Sequence, residues 1–192
     1  MLSAVIATHE SERSLVPTLA ALVPAAATGF LAGVVVADTG SRDATAEIAE
    51  IAGCRFMTSA GPLGALLKTA AASTRSPWLM FLRAGVIPQA GWIDAAEHFM
   101  QKTDMLEGAA RAATFRPAGP SDYLRPSLAE IAGLLRAAFG GGPKHEQGLL
   151  IARRFYDTIG GHPADANAEA ALLRRIGRRR MVMLPARVSV AQ

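Results

Sequence analysis

Residues 33–43 read Gly-Val-Val-Val-Ala-Asp-Thr-Gly-Ser-Arg-Asp. The first five form a continuous β-branched run, the pattern of a strand covered on both faces. Asp38 to Asp43 then supplies turn chemistry and carries the chain into an apolar segment, Ala44 to Ala52, that Gly53 ends as a helix. A buried strand that passes through a polar, glycine-containing loop into a helix is one βα unit. The same unit recurs on both sides. Upstream, Leu2 to Ala7 is a short apolar run followed by polar Thr8-His9-Glu10-Ser11, and Leu15, Leu19 and Leu22 follow at helical spacing. Downstream, Cys54 to Met57 predicts a third strand, Gly64 to Ser73 an Ala-rich helix, and Trp78 to Leu82 a fourth buried strand after Pro77. This rhythm predicts an α/β fold with a mostly parallel central sheet and helices on both faces.

After Arg83 the rhythm changes. Ile87-Pro88 is expected to open a helix through Trp92, Ile93 and Phe99, and Ala109 to Arg116 alternates like a partly exposed strand. Ser127-Leu128-Ala129-Glu130 has the form of a capping box, starting a helix to Phe139 that Gly140-Gly141-Gly142 stops. Beyond it, Gly148 to Ala152 reads as a strand, Phe155 to Ile159 as a helical turn, Ala164 to Ile176 as a helix closed by Gly177, and Met181 to Leu184 as a final short strand.

Composition narrows the class. The chain has 192 residues, 51% hydrophobic and 19% charged, far from the make-up of disordered proteins, so one folded domain is expected. Cys54 is the only cysteine, which excludes an intramolecular disulfide framework and an iron–sulfur cluster and fits a cytoplasmic, reducing compartment. Ser14 to Ala37 carries no charge, but Pro17, Pro24, Gly29 and Gly33 punctuate it, so it is read as helix, loop and strand rather than a membrane span. Met1 to Glu12 lacks a basic region ahead of its apolar run and predicts no signal peptide. The net charge of +4 is concentrated in Arg174, Arg175, Arg178, Arg179, Arg180 and Arg187. Most of these fall at the end of a helix, where positive charge complements the dipole, and the surplus suits an anionic partner or a membrane surface in peripheral contact. Nucleic acid is not expected, since no aromatics interleave with the basic residues.

In open α/β sheets, ligands bind outside the carboxyl ends of the strands, so the residues just after each strand are the informative ones. They are Thr8-His9-Glu10, Asp38-Thr39-Gly40-Ser41, Arg83-Ala84-Gly85 and the region of Glu169. Asp38 has two readings: acceptor for a nucleobase or ribose hydroxyl, with Gly40 allowing close approach and Ser41 adding a donor, or a cap for the next helix together with Asp43. His9 and His98 show no metal-ligand spacing. Trp78, Phe81 and Trp92 are read as core or cleft wall, with core favoured by their apolar context, and Lys68 as solvated.

Four blocks carry a resemblance: Val-Ile-Ala-Thr-His-Glu at 5–10, Val-Val-Ala-Asp-Thr-Gly-Ser-Arg-Asp-Ala-Thr at 35–45, Pro-Trp-Leu-Met-Phe-Leu at 77–82, and Gly-Leu-Leu-Ile-Ala-Arg-Arg-Phe-Tyr-Asp-Thr-Ile-Gly-Gly-His at 148–162. In order and spacing the chain resembles family 2 glycosyltransferases. The resemblance implies a GT-A fold over 1–192, with 1–85 a nucleotide-binding half and 86–192 an acceptor-side half, and transfer of a sugar from a nucleotide-diphosphate donor, usually with inversion. It places Thr8, Glu10, Asp38, Gly40 and Ser41 at the nucleoside, and His145, Glu146, Gln147 and His162 on the acceptor side. His162 has a second reading as a surface loop histidine. Donor sugar, acceptor and oligomeric state leave no trace in the sequence.

Two departures decide the mechanism. The family's Asp-x-Asp metal motif is replaced by Arg83-Ala84-Gly85, so no divalent metal is expected, because a hard cation needs oxygen ligands. The family's Glu-Asp pair survives as Glu169-Ala170. Two hypotheses follow: a metal-independent glycosyltransferase in which Arg83 stabilises the leaving diphosphate and Glu169 is the general base, or a non-catalytic nucleotide-sugar or partner-binding module on a decayed enzyme fold. For Arg83 the plain alternative is a surface salt bridge to Glu10 or Asp38.

Overall fold

A computed structural model describes residues 1–106, 110–118, 147–165 and 167–191. The expected helix from Ser127 to Phe139, the triglycine, His145 and Glu146 lie outside the described residues. Strands β1 (Leu2–Thr8), β2 (Leu31–Asp38), β3 (Arg55–Thr58) and β4 (Trp78–Arg83) alternate with helices α1 (Glu12–Ala27), α2 (Thr45–Ile51) and α3 (Leu63–Ala72). Then follow β5 (Val86–Pro88), α4 (Trp92–Met105), β6 (Ala112–Pro117), β7 (Leu149–Ala152), α5 (Arg153–Thr158), α6 (Ala168–Ile176), a 3₁₀ turn at Arg178–Arg180, and β8 (Met181–Val190).

All eight strands share one sheet in the order β3-β2-β1-β4-β7-β6-β8-β5. The pairs β3–β2, β2–β1, β1–β4 and β6–β8 are parallel, and β4–β7, β7–β6 and β8–β5 are antiparallel. β1 is an interior strand with every residue buried, which is why its sequence is mostly apolar, and its two polar residues are hydrogen-bonded, Ser3 to Ser76 and Thr8 to Asp38. The order reverses between β1 and β4: β1 leads by α1 to β2 on one side, whereas β3 returns by α3 to β4 on the other. Right-handed crossovers therefore put α1 and α3 on opposite faces and open a crevice where the loops after β1 and β4 diverge.

The core favours the aromatic reading. Trp78 meets Phe99 edge-to-face at 5.7 Å and donates from Nε1 to Asp104 Oδ2 at 3.2 Å. Trp92 packs on Phe30 at 6.2 Å and donates to the Ala21 carbonyl at 3.2 Å. Arg153, to which the sequence assigned nothing, closes the end of α3. Its Nε and Nη1 donate to the Ser76 and Ala71 carbonyls at 2.7 and 3.0 Å, and Nη2 donates to Thr74 Oγ1 at 2.5 Å. Gly64 is fixed by close approach, since a Cβ there would lie 1.8 Å from the Pro163 carbonyl oxygen and 2.5 Å from Ala168 Cβ.

Three expectations are corrected. Ile87-Pro88 does not open a helix: residues 86–88 form edge strand β5, paired with the far end of β8, and the helix begins at Trp92. Proline is tolerated there because an edge leaves N–H positions unpaired. The last strand does not stop at Leu184. β8 runs on to Val190, and its register against β6 slips between Met183 and Arg187, so that Pro185 sits in the irregularity where no ladder donor is needed. Pro17 and Pro24 do not punctuate the uncharged segment as breakers, because α1 runs through both. No helix among the described residues is long and apolar enough to cross a membrane.

Candidate active site

The loops after β1 and β2 are locked together by reciprocal hydrogen bonds. Thr8 and Asp38 are register partners, and Thr8 Oγ1 donates to Asp38 Oδ1 at 2.8 Å. Ser41 Oγ donates to the same oxygen at 2.5 Å, while the backbone N–H groups of Gly40 and Ser41 donate to Oδ2 at 2.8 and 2.7 Å. Four donors fill a carboxylate's acceptor sites. Burial, the largest influence, pushes Asp38 up, but the Ser41, Thr8 and Gly40 bonds together outweigh it and hold the carboxyl below its ordinary value. Asp38 is 1% exposed, so it shapes the loop, and a nucleoside reaches its oxygens only by exchanging one of these donors.

Glu10 crosses the same seam. Its backbone has a positive φ of 48°, uncommon for a residue with a side chain. Its N–H donates to Ser41 Oγ at 2.7 Å, and its Oε1 accepts from Arg42 N–H at 2.8 Å. One step further, Glu12 N–H donates to Asp43 Oδ2 at 2.9 Å and Ala44 N–H donates to Glu12 Oε2 at 3.3 Å. Asp43 also accepts from Thr45 N–H at 3.1 Å, so capping belongs to Asp43 rather than to Asp38. The Thr45 hydroxyl, ahead of a smaller opposing effect of burial, holds Asp43 below its ordinary value. The sequence pointed to neither Glu12 nor Thr45 as part of this seam.

Arg83 ends β4 opposite Ala7 of β1, one residue before the Thr8–Asp38 pair. Thr8, Glu10, Asp38, Ser41 and Arg83 thus lie along the carboxyl ends of three adjacent strands. Arg83 is ion-paired with neither Glu10 nor Asp38, as the salt-bridge reading supposed. It pairs instead with Glu169 in the first turn of α6: Nε donates to Glu169 Oε2 at 2.8 Å, and Nη2 donates to the same oxygen. The Arg83 side chain is 41% exposed and that of Glu169 16%. Both donors land on Oε2, so the pair with Arg83 does not use Oε1. The next residues face inward. Ala84 N–H donates to the Ala7 carbonyl at 3.0 Å, and Gly85 N–H donates to Ser14 O at 3.0 Å and Thr18 Oγ1 at 2.9 Å.

The family metal would sit at this strand end. A guanidinium, a methyl group and a buried glycine offer no oxygen side-chain ligands, so residues 83–85 do not fit a divalent cation. Among the described residues no group of three or more His, Cys, Asp and Glu is placed to hold a metal.

Glu169 lines a small pocket with Phe81, Leu149, His162 and Leu172, whose space of about 20 Å³ admits one water-sized group. His162 is not a surface loop residue; it is 2% exposed. Its ring meets Phe81 edge-on at 4.7 Å, Phe81 stacks on Tyr156 at 5.2 Å, and Tyr156 Oη lies 2.8 Å from His162 Nδ1. Gly161, with φ of 67°, turns the chain against the Tyr156 ring, where a Cβ would come within 2.9 Å. Gln147 is half-buried just before β7 and has polar company. Of the arginine cluster, Arg180 is structural: it donates to the Ile176 and Arg175 carbonyls at 2.7 and 2.8 Å and lies 5.2 Å from the centre of the Phe155 ring. Arg174, Arg178 and Arg179 are exposed.

No protein-family profile matches the chain, and no curated protein matches it in sequence. Solved structures do match. Glucosyl-3-phosphoglycerate synthase from Mycobacterium tuberculosis, in complex with Mn²⁺ and UDP-glucose, aligns with a TM-score of 0.67 at 15% identity, covering 99% of this chain and 70% of that one. The same enzyme in complex with Mn²⁺, UDP and phosphoglyceric acid gives 0.67 at 15%, with 99% and 69% covered. S. aureus TarS, residues 1–349, gives 0.68 at 14% identity, covering 99% of this chain and 60% of that one. The chain therefore shares the GT-A fold of these structures.

Proposed function

We propose that this chain transfers a sugar from a nucleoside-diphosphate donor to a hydroxyl acceptor without a divalent metal. The observation that carries the reading is the meeting of Arg83 and Glu169 at the carboxyl end of β4. A leaving nucleoside diphosphate needs positive charge, and a permanently charged guanidinium with planar, paired donors suits phosphate oxygens at the place a metal would occupy in the family. The acceptor needs a base, and Glu169 Oε1 takes the hydroxyl proton as the acceptor oxygen forms its bond to the anomeric carbon. The bond from that carbon to the diphosphate oxygen breaks with its electron pair, and Arg83 stabilises the charge that develops there. The seam of Thr8, Glu10, Asp38, Gly40 and Ser41 forms the rigid edge against which the nucleoside rests.

A specific observation favours the non-catalytic alternative: Asp38 is saturated by its own loop, and Arg83 is neutralised by Glu169. The two readings part in one experiment. UDP-glucose, the donor named for a structural neighbour, is incubated with the full chain in excess EDTA, and released UDP is measured with and without simple alcohol acceptors. Turnover above the protein-free blank supports the enzyme. Donor binding without turnover supports the module, and turnover only with added Mn²⁺ removes the metal-free mechanism.

A further inference from the structure

His162 is committed on one side of its ring and open on the other. Its backbone N–H donates to Tyr156 Oη at 3.2 Å, so the hydroxyl oxygen acts as an acceptor there. We assign the hydroxyl's own proton to His162 Nδ1, 2.8 Å away, the arrangement that uses the oxygen once as acceptor and once as donor. With Nδ1 accepting, the ring proton of a neutral imidazole sits on Nε2. Burial keeps the ring neutral by pushing it down to about 4. Burial, the largest influence on Tyr156, pushes that hydroxyl up to about 12, so it keeps its proton. Phe81 and Gly161 hold both rings in place. Nε2 has no hydrogen-bond partner among the described residues, although the residue is 2% exposed and lines the pocket that Glu169 shares.

His162 and Glu169 line the same small pocket, and an N–H donor and a carboxylate there define what group fits. An alcohol has a proton to give Glu169 and lone pairs to accept from Nε2–H. A phosphate or carboxylate group is anionic at neutral pH and would meet Glu169 as a like charge. The other walls, Phe81, Leu149 and Leu172, present apolar side chains, and the space suits a single hydroxyl-sized group. Resting on the reading of Glu169 as the base, we propose that His162 is a positioning residue whose Nε2–H orients the acceptor hydroxyl toward Glu169 Oε1 and selects an uncharged alcohol as the reacting group.

The test uses the full chain labelled with ¹⁵N-histidine, glycerol as probe alcohol and acetate as anionic control. Imidazole ¹⁵N–¹H correlation spectra are expected to show His162 as the neutral Nε2–H tautomer, unchanged from about pH 8 to about pH 5.5. Glycerol should shift its Nε2–H signal saturably and acetate should not, and Tyr156→Phe should mix the tautomers. The signal is assigned by its loss in His162→Gln or, where that variant does not fold, by its response to Tyr156→Phe. These spectra need no turnover, so they fail or succeed independently of the transferase assay. An Nδ1–H tautomer, a titration midpoint above about 6, or an Nε2–H signal that glycerol leaves unmoved overturns the proposal.

Discussion

Replacing Glu169 with Gln separates the two jobs assigned to the site. The substitution keeps the side chain's shape and a carbonyl oxygen for Arg83, but removes the charge and the proton acceptor. Its stability cost is small: Arg83 is 41% exposed and rehydrates, and a pair of this kind contributes at most about 1 kcal/mol. For a chain of this size that is a melting shift of about 2–4 °C. The chemical cost is larger. Loss of a positioned general base lowers rate by about 10²–10⁴-fold, or roughly 3–5.5 kcal/mol of barrier. Donor affinity should hold or improve, because the Glu169 carboxylate no longer competes with the diphosphate for Arg83. A gain of up to about 1 kcal/mol is about fivefold in Kd. Released UDP in EDTA reports turnover, calorimetry reports UDP-glucose binding, and thermal denaturation checks the fold. Turnover within about threefold of wild type, or donor affinity lost together with turnover in a folded variant, would refute the division of labour between the two residues.

Asp38→Asn should destabilise by about 1–3 kcal/mol, measured by urea denaturation, because an amide nitrogen replaces an oxygen that receives two donors. The folded-state pKa of Asp38 lies below its ordinary value, so its stabilisation is present above the unfolded pKa near 3.8 and lost as pH falls through the folded value. The Asn variant should lack that acid limb. His162, pushed down from 6.5 to about 4, adds stability that is present above pH 6.5 and lost as pH falls toward 4, on the order of 3 kcal/mol. Denaturation midpoints measured across that window should flatten in His162→Gln. Gly64→Ala should cost about 1–3 kcal/mol by thermal melting, since its Cβ would meet the Pro163 carbonyl rather than a flexible side chain.

The parallel half of the sheet was legible because β1, β4 and the second half of β2 are buried and carry short, mainly apolar runs. β5 was not, since three residues hold no periodicity and their partner lies about a hundred positions away in β8. β8 was cut short because Pro185 ends a ladder by local rules, and only the two-residue slip against β6 lets the strand resume. At the site, the loop residues after each strand could be named from topology, but their bonding could not. Nothing in the sequence says that Asp38 is consumed by its own turn. Arg83 and Glu169 are 86 positions apart, and only the packing of α6 near α3, across Gly64, brings them together. His162 stands between a glycine pair and a proline, where local composition says surface, and it is Tyr156 on the preceding turn that draws it inside.

The central claim is that Arg83 does a metal's work for a nucleotide-diphosphate donor, and calorimetric titration of UDP-glucose into the full chain in EDTA tests it directly. The account predicts saturable binding whose Kd is unchanged by excess Mn²⁺ and weakens by at least about tenfold in Arg83→Ala, with Arg83→Lys in between. Binding that appears only with Mn²⁺, or an Arg83→Ala chain that binds UDP-glucose as well as wild type, would contradict it.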